Sequence, residues 1–417
     1  HVMPNGNILL LVAEKKTRLE AHNVGRDTSL LLDSELWSES VIELMPLGID
    51  SAEIIWKWEA WDHLIQEHDT SSSNYGTINQ HPEKIDINFT DGYNDKDWLH
   101  LNSIDYNPYL DQISLGSRNW SEIWIIDHST TTQEATSGIG GFYGKGGDLL
   151  YRWGNPKSYQ RGDSSDQKFY NLHDVHWIKD SIPQLMVYNN GGARGFSSID
   201  IINLPINTVG GYTTPLSPIV PFLPDTLDWS YHLSPQTSSG RLSSAQRLPN
   251  GGTVICSGVL GYIFEIDSAL QITWVYQSPV APNGILSQGT NTSSGITQVF
   301  NSIRYPRDFI GFTGKDMSPS DPIELNFNLD LCITGLSDIA RTNIDLHIFP
   351  NPASAEINIH ANFLIWEYQI INLLGQVIID KKIAPTQKLQ INSTNLQSGT
   401  YLLKTNQQYI SKLIINK

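Results

Sequence analysis

The 417-residue chain is short of cysteine, of charge and of long apolar runs. Its two cysteines, Cys256 and Cys332, are too few for a disulfide scaffold and lack metal-ligand spacing; two buried thiols are expected, with a single disulfide as the alternative. Charged residues make up only 17%, and basic side chains are the scarcer sign: 27 Lys+Arg against 43 Asp+Glu, a net charge of −16. That deficit excludes nucleic acid or an anionic membrane as the main partner, because both are held through basic patches. No apolar run approaches the roughly 18 residues of a transmembrane helix. The pair His173 and His176 would serve a metal only on a helix or tight turn, so no metal site is expected. The chain begins at His1 without a Met or a signal-peptide pattern, and it reads as a mature form or a fragment.

Aromatic and turn-forming residues are plentiful instead: 12 Trp, 17 Tyr, 32 Gly and 21 Pro. With 39% hydrophobic residues there is ample material for a core, and the balance favours an all-β secreted protein. Internal similarity sharpens this. Met3-Pro4-Asn5-Gly6 and Leu248-Pro249-Asn250-Gly251 are the same turn, each followed by a β-rich run. Strands of the form Glu122-Ile123-Trp124-Ile125-Ile126-Asp127 return at Ser198–Asn203 and Tyr262–Asp267. Strands carrying an aromatic pair two apart return at Trp56/Trp58, Tyr151/Trp153, Trp229/Tyr231 and Trp274/Tyr276. The constant order of these elements predicts a β-propeller of about six blades over residues 1–320, with Gly/Ser/Thr/Asp-rich insertions as surface loops. The glycines between Gly138 and Gly147 lack the strand–loop–helix setting of a phosphate cradle and read as a flexible lid or surface loop. A linker is expected over 321–344. Alternating apolar and polar residues then mark a small C-terminal β-sandwich over 345–417.

The tail carries a specific resemblance. Phe349-Pro350-Asn351-Pro352, Leu374-Gly375-Gln376, Ser398-Gly399-Thr400-Tyr401 and the short basic apolar end resemble the C-terminal sorting domain of type IX secretion substrates. That resemblance implies the secretion machinery as a partner and export across the outer membrane, followed by release or surface attachment.

Three upstream segments concentrate polar residues: Asp97–Tyr106 continuing to Asn119, Leu172–Ile178, and Asn189–Gly195. Together with Trp153-Gly154-Asn155-Pro156 and Arg247-Leu248-Pro249-Asn250-Gly251, they resemble the bacterial arylsulfate sulfotransferases, six-bladed propellers with an axial active site. The resemblance runs from His1 to about residue 310. It implies transfer of a sulfuryl group from an aryl sulfate to a phenol, without a cofactor, through a covalent sulfohistidine. By motif it assigns His100, His173 and Arg194 as catalytic, with Asn102, His176 and Arg118 as substrate-binding. Leu172 stands where that family has Gln before the histidine, and the stretch Gly240–Arg247 has no histidine where a later blade supplies one. The nucleophile is therefore His173, His176 or His232, or it is absent.

The chemistry accounts for the residue types. A sulfate monoester spreads negative charge over three oxygens, and transfer needs cations on them and a proton for the departing phenolate. Arginine offers a planar fork to two oxygens. One neutral histidine can attack sulfur while a protonated one assists. Strand alternation predicts that His173 and His176 point to opposite faces. His63 and His68 read as surface or blade-edge residues and His128 as a turn residue. Two other readings compete: an aryl sulfate hydrolase on the same site, and a non-catalytic surface propeller that binds glycans or sulfated ligands.

Overall fold

The computed structural model describes residues 1–318 and 346–417, apart from 94–95, 179–182, 193, 293, 373–375 and 407–408. The expected linker, Cys332 and the Leu374-Gly375 turn lie outside the described residues. The chain divides into two compact units, 1–325 and 326–417.

The first unit is built of antiparallel meanders laid side by side. The first is β1 (Ile8–Thr17), β2 (Glu35–Pro46) and β3 (Ala52–Glu59). Residues 1–3 run along its inner edge, with Leu9 N–H donating to His1 O and Val2 bridging Ile8. A short parallel pair, β4 (Leu64–Ile65) and β5 (Ile85–Asp86), follows in the connection. The second meander is β6 (Leu101–Asn107), β7 (Gln112–Ser117), β8 (Glu122–Asp127) and β9 (Tyr151–Trp153). The third is β10 (His173–Ile178), β11 (Gln184–Asn189), β12 (Ser198–Asn203) and β13 (Trp229–His232). The fourth is β14 (Ser244–Arg247), β15 (Thr253–Ser257), β16 (Tyr262–Ile266) and β17 (Ile272–Gln277). A ribbon of β18 (Val280–Ala281) and β19 (Gly284–Ile285) comes next.

The repeats seen in the sequence map onto these sheets. The Ile-Asp strands are the third strands β8, β12 and β16, and the aromatic-pair strands are the outermost, β3, β9, β13 and β17. Alternation explains the middle strands, which are buried throughout. In β8, Trp124 and Ile126 pack toward the first sheet while Ile123 and Ile125 pack toward the third. In β11, Leu185 and Val187 face the second sheet, and Met186 and Tyr188 face the fourth. The second and third sheets are thus apolar on both faces and sandwiched between neighbours, the packing of propeller blades. The architecture is all-β and propeller-like, with three four-stranded blade-like sheets and one of three strands among the described residues, where spacing suggested about six. Residues 300–304 lie against β14 as a further inner segment: Ser243 N–H donates to Phe300 O, Ser302 N–H to Ser244 Oγ and Arg304 N–H to Gln246 Oε1.

Long connections account for much of the remaining length, and they are packed rather than loose. The glycine-rich stretch folds over β3: Trp56 Nε1 donates to Thr130 Oγ1 at 3.1 Å and Trp58 Nε1 to Gly147 O at 2.7 Å. His63 is fully buried, not at a surface, with Nδ1 2.7 Å from Asp148 and Nε2 2.8 Å from Ala135 O. The lid reading of this stretch therefore gives way to a structural one. His128 is likewise more than a turn residue, since it bridges Asp111 at 2.7 Å and Glu43 at 2.9 Å.

The second unit is one five-stranded antiparallel sheet: β20 (Leu346–Phe349), β21 (Glu356–Asn372), β22 (Val377–Asn392), β23 (Gly399–Thr405) and β24 (Tyr409–Ile415). The long β21 pairs β20 along its first half and β23 along its second. The sheet curls until Ala353 bridges Ile415, enclosing Ile357, Ile370, Leu403 and Leu413 in a core of its own.

Candidate functional site

The innermost strands of the first unit border a cavity of about 390 Å³. Successive units each contribute one stretch: His1, Asn102–Asp105, His173–His176, Ser243 with Ala245 and Gln246, and Phe300–Ile303. The stretches Asn102-Ser103-Ile104-Asp105-Tyr106 and Asn301-Ser302-Ile303-Arg304-Tyr305 are near copies. That likeness is a sequence signal which the repeat reading passed over.

The inner strands share a local irregularity. His100 precedes β6 with φ of +50°, Asp174 in β10 has +55°, and Ser243 before β14 has +90°. The register slips between Leu101 and Ser103 and between His173 and His176. Such a bulge adds a residue to one strand and re-aims the side chains around it. Its consequence is that His173 and His176 both border the cavity, which overturns the expectation of opposite faces. Simple alternation fails because three residues of β10 span two of β11. Gly116 permits the close approach of β10 to β7: a Cβ there would meet Ser103 Oγ at 2.3 Å and Val175 at 2.8 Å.

Polar side chains stitch these strands together. Asn102 Nδ2 donates to Leu172 O at 2.8 Å, Asp105 accepts Trp177 N–H at 2.7 Å, and Asp174 accepts Ala245 N–H at 2.9 Å. Asp105 also meets the His1 ring at 2.9 Å. Burial pushes the Asp174 carboxyl up to about 6.

His173 is 4% exposed. Asn190 gives both N–H groups of its amide away, to Ser239 O at 2.7 Å and Leu242 O at 3.0 Å. Its oxygen must therefore face His173 Nδ1, 2.7 Å away, so Nδ1 carries the proton and Nε2 the lone pair. Nε2 has one contact, the Leu242 N–H at 3.2 Å. Burial pushes the imidazole down to about 4, helped by the nearby charges of Arg118 and His100, so the ring is neutral at pH 7.

His100 sits above it at the entry to β6. Its Nδ1 lies 2.5 Å from Asp97, and Nε2 has no hydrogen-bond partner among the described residues. Arg118 N–H donates to His100 O at 3.1 Å. The Arg118 guanidinium touches Asn119 Oδ1 at 2.7 Å and lies over the Tyr93 ring, 5.5 Å from its centroid. Among the described residues no carboxylate pairs with it. An unpaired arginine beside two histidines, in a chain of −16, is a local focus for an anion.

Of the six residues singled out by sequence, Asn102, His173 and His176 line the cavity, while His100 and Arg118 lie close enough to His173 for their charges to act on it. Arg194 is held differently. It occupies the turn between β11 and β12, donates to Ser198 Oγ at 2.9 Å, and stacks on Phe196 at 4.7 Å and Tyr170 at 5.4 Å. His232, a candidate nucleophile, is exposed on the outer strand β13 against Phe196. The histidine-free stretch Gly240–Arg247 supplies backbone to the site, through Leu242. Sequence reasoning missed Asp97 and Asn190, which orient the two rings. Asp97 is three residues before His100, the only signal available. Among the described residues no cluster of potential ligands could hold a metal.

The first unit is thus a propeller-like all-β fold whose inner strands border one cavity. The chain belongs to the arylsulfotransferase family, whose model matches residues 1–209. The secretion system C-terminal sorting domain matches residues 347–416, so the chain is exported for secretion or surface attachment by the type IX route. No helix among the described residues is long and apolar enough to cross a membrane. No curated protein matches the chain. Among solved structures, a protein of unknown function from Bacteroides caccae is 10% identical over 59% of this chain and 70% of its own, with a TM-score of 0.24. An engineered GH43 glycoside hydrolase is 9% identical over 91% and 88%, with a TM-score of 0.17.

Proposed function

We propose that this arylsulfotransferase-type protein moves a sulfuryl group from an aryl sulfate ester to a phenol, with His173 as the nucleophile. The observation that carries the reading is the neutral His173, which borders the cavity and lies near the charges of Arg118 and the Asp97-held His100. Nε2 of His173 bonds to sulfur as the sulfur–aryl oxygen bond breaks. His100, held by Asp97 through Nδ1, gives an Nε2 proton to the leaving phenolate. The acceptor phenol then returns a proton to His100 and takes the group as the nitrogen–sulfur bond breaks. Arg118 holds two of the sulfate oxygens, and its missing carboxylate partner leaves it free to do so. The Leu242 N–H on Nε2 yields to sulfur when substrate enters.

In this reading residues 1–320 carry the transferase and 345–417 the export signal. The direct test is turnover of a chromogenic aryl sulfate with and without added phenol, followed by acid-labile labelling of histidine by the donor. Phenol-dependent release with a label on His173 supports the proposal. Release that ignores phenol makes the protein a hydrolase, and tight binding without release makes it a binding module.

A further inference from the structure

The most heavily buried acid near the site is one that sequence reasoning did not touch. Glu39 lies in β2, 6% exposed, on a different blade from His100. Its Oε1 accepts the Leu101 N–H at 3.3 Å, and the His100 amide also contributes to holding it. It therefore sits under the peptide where His100 takes its left-handed turn. Its Oε2 is buried with no partner. The same strand fixes Asp97: Trp37 bridges Asp97 in parallel, and Trp37 N–H donates to Lys96 O at 2.7 Å. Glu39 is two residues along from Trp37, so it and Trp37 project from the same face of β2.

The charges facing Glu39 decide its state. From the segment before β6 come Asp97 and His100. On β1 the residue opposite is Ala13. On β3 the strand ends at Glu59, whose carboxylate is already tied to Lys16 and Lys57. On β2 itself the neighbours are Ser38 and Ser40. No cation pairs with Glu39 among the described residues and one oxygen has no donor, so only the backbone N–H groups at Oε1 favour a negative charge, and burial with the Asp97 charge outweighs them.

We propose that Glu39 is a positioning residue for His100: as a neutral acid it anchors the His100–Leu101 backbone, and its ionisation beside Asp97 disrupts the Asp97–His100 pair. This deepens the sulfuryl-transfer reading, on which its effect on turnover rests. Burial, with the Asp97 charge second, pushes the carboxyl up to about 8. The group is thus uncharged at pH 7 and becomes charged just above it. A residue that never meets substrate would then set the alkaline limit of the reaction.

The test uses the full chain and Glu39→Gln, which keeps the acceptor oxygen for Leu101 and cannot ionise. Turnover of a chromogenic aryl sulfate with phenol is followed from about pH 6 to about pH 10. In the wild-type protein the rate should fall roughly tenfold per pH unit above a midpoint near 8, and the variant should lose that midpoint while keeping its neutral-pH rate within about threefold. The ring signals of His100 in nitrogen-15 histidine-labelled protein give an independent readout. They should shift with the same midpoint in the wild type and not in Glu39→Gln. If the variant folds poorly, Asp97→Asn serves instead: removing that charge should lower the Glu39 midpoint seen by carboxyl carbon-13 signals. An alkaline midpoint that persists unchanged in Glu39→Gln, or a Glu39 signal that titrates as an ordinary carboxyl, overturns the inference. Loss of the His100 midpoint without any aryl sulfate turnover upholds Glu39 and overturns the transfer reading instead.

Discussion

Replacing Asn190 with Asp tests how His173 is kept neutral. The change substitutes a carboxylate for an amide oxygen 2.7 Å from Nδ1. The imidazole stands at about 4 against an ordinary 6.5, which corresponds to about 3 kcal/mol against its charged form. An opposite charge at hydrogen-bond distance raises a histidine by about 1–3 units, which brings His173 to about 5–7. A neutral nucleophile is then lost as the pH falls through that range. The expected result is an acid limb in kcat/KM at near-neutral pH, with up to about thirtyfold less activity at pH 5.5 than at pH 8, while the wild type changes little across the same interval. The Asp cannot donate to Ser239 O and Leu242 O, so stability should fall by about 1 kcal/mol for each lost bond. Circular dichroism and a melting curve separate that loss from the kinetic one. A folded variant whose pH profile overlays the wild type would refute the argument, because it would mean that the protonation of His173 does not matter.

Three further outcomes follow from the same structure. Arg118→Ala should reduce kcat/KM by roughly thirty- to a thousandfold, or about 2–4 kcal/mol, with partial rescue by Lys; Arg194→Ala should cost under about tenfold, because Arg194 sits in the β11–β12 turn, donating to Ser198 and stacking on two rings. Burial pushes the His128 imidazole down, but its hydrogen bonds to Asp111 and Glu43 outweigh this and the net shift is upward. The clasp therefore stabilises fully below the ordinary 6.5 and is lost as pH rises through the folded value. The melting temperature should drop by about 2 °C over that rise, and the drop should vanish in His128→Gln. Deleting 345–417 should leave the first unit folded by circular dichroism and limited proteolysis, since the second unit has its own core, and should abolish export from a type IX-competent host.

Much of the architecture is written in local pattern. Aromatic pairs two residues apart mark the outer strands, because such pairs point to one face and need cover. The Ile-Asp runs mark third strands buried on both faces, and the tail motifs mark the sorting domain by composition and turn chemistry alone. His100, His173 and Arg118 were singled out through polar segments that resemble a family's motifs, not through strand pattern. What local pattern could not supply is the arrangement among strands. Whether His173 and His176 share a face depends on a bulge, a mismatch in length between two paired strands that neither strand reveals alone. Whether Arg194 or Arg118 stands free depends on which rings and hydroxyls happen to surround each one. The ionisation of Glu39 and the tautomer of His173 are set by desolvation and by partners distant in sequence, 62 residues away on another blade in one case and 17 residues away on the same blade in the other. Burial and through-space charge exist only once the sheets have packed, and that is why sequence could offer candidate residues while their partners and protonation states came from the fold.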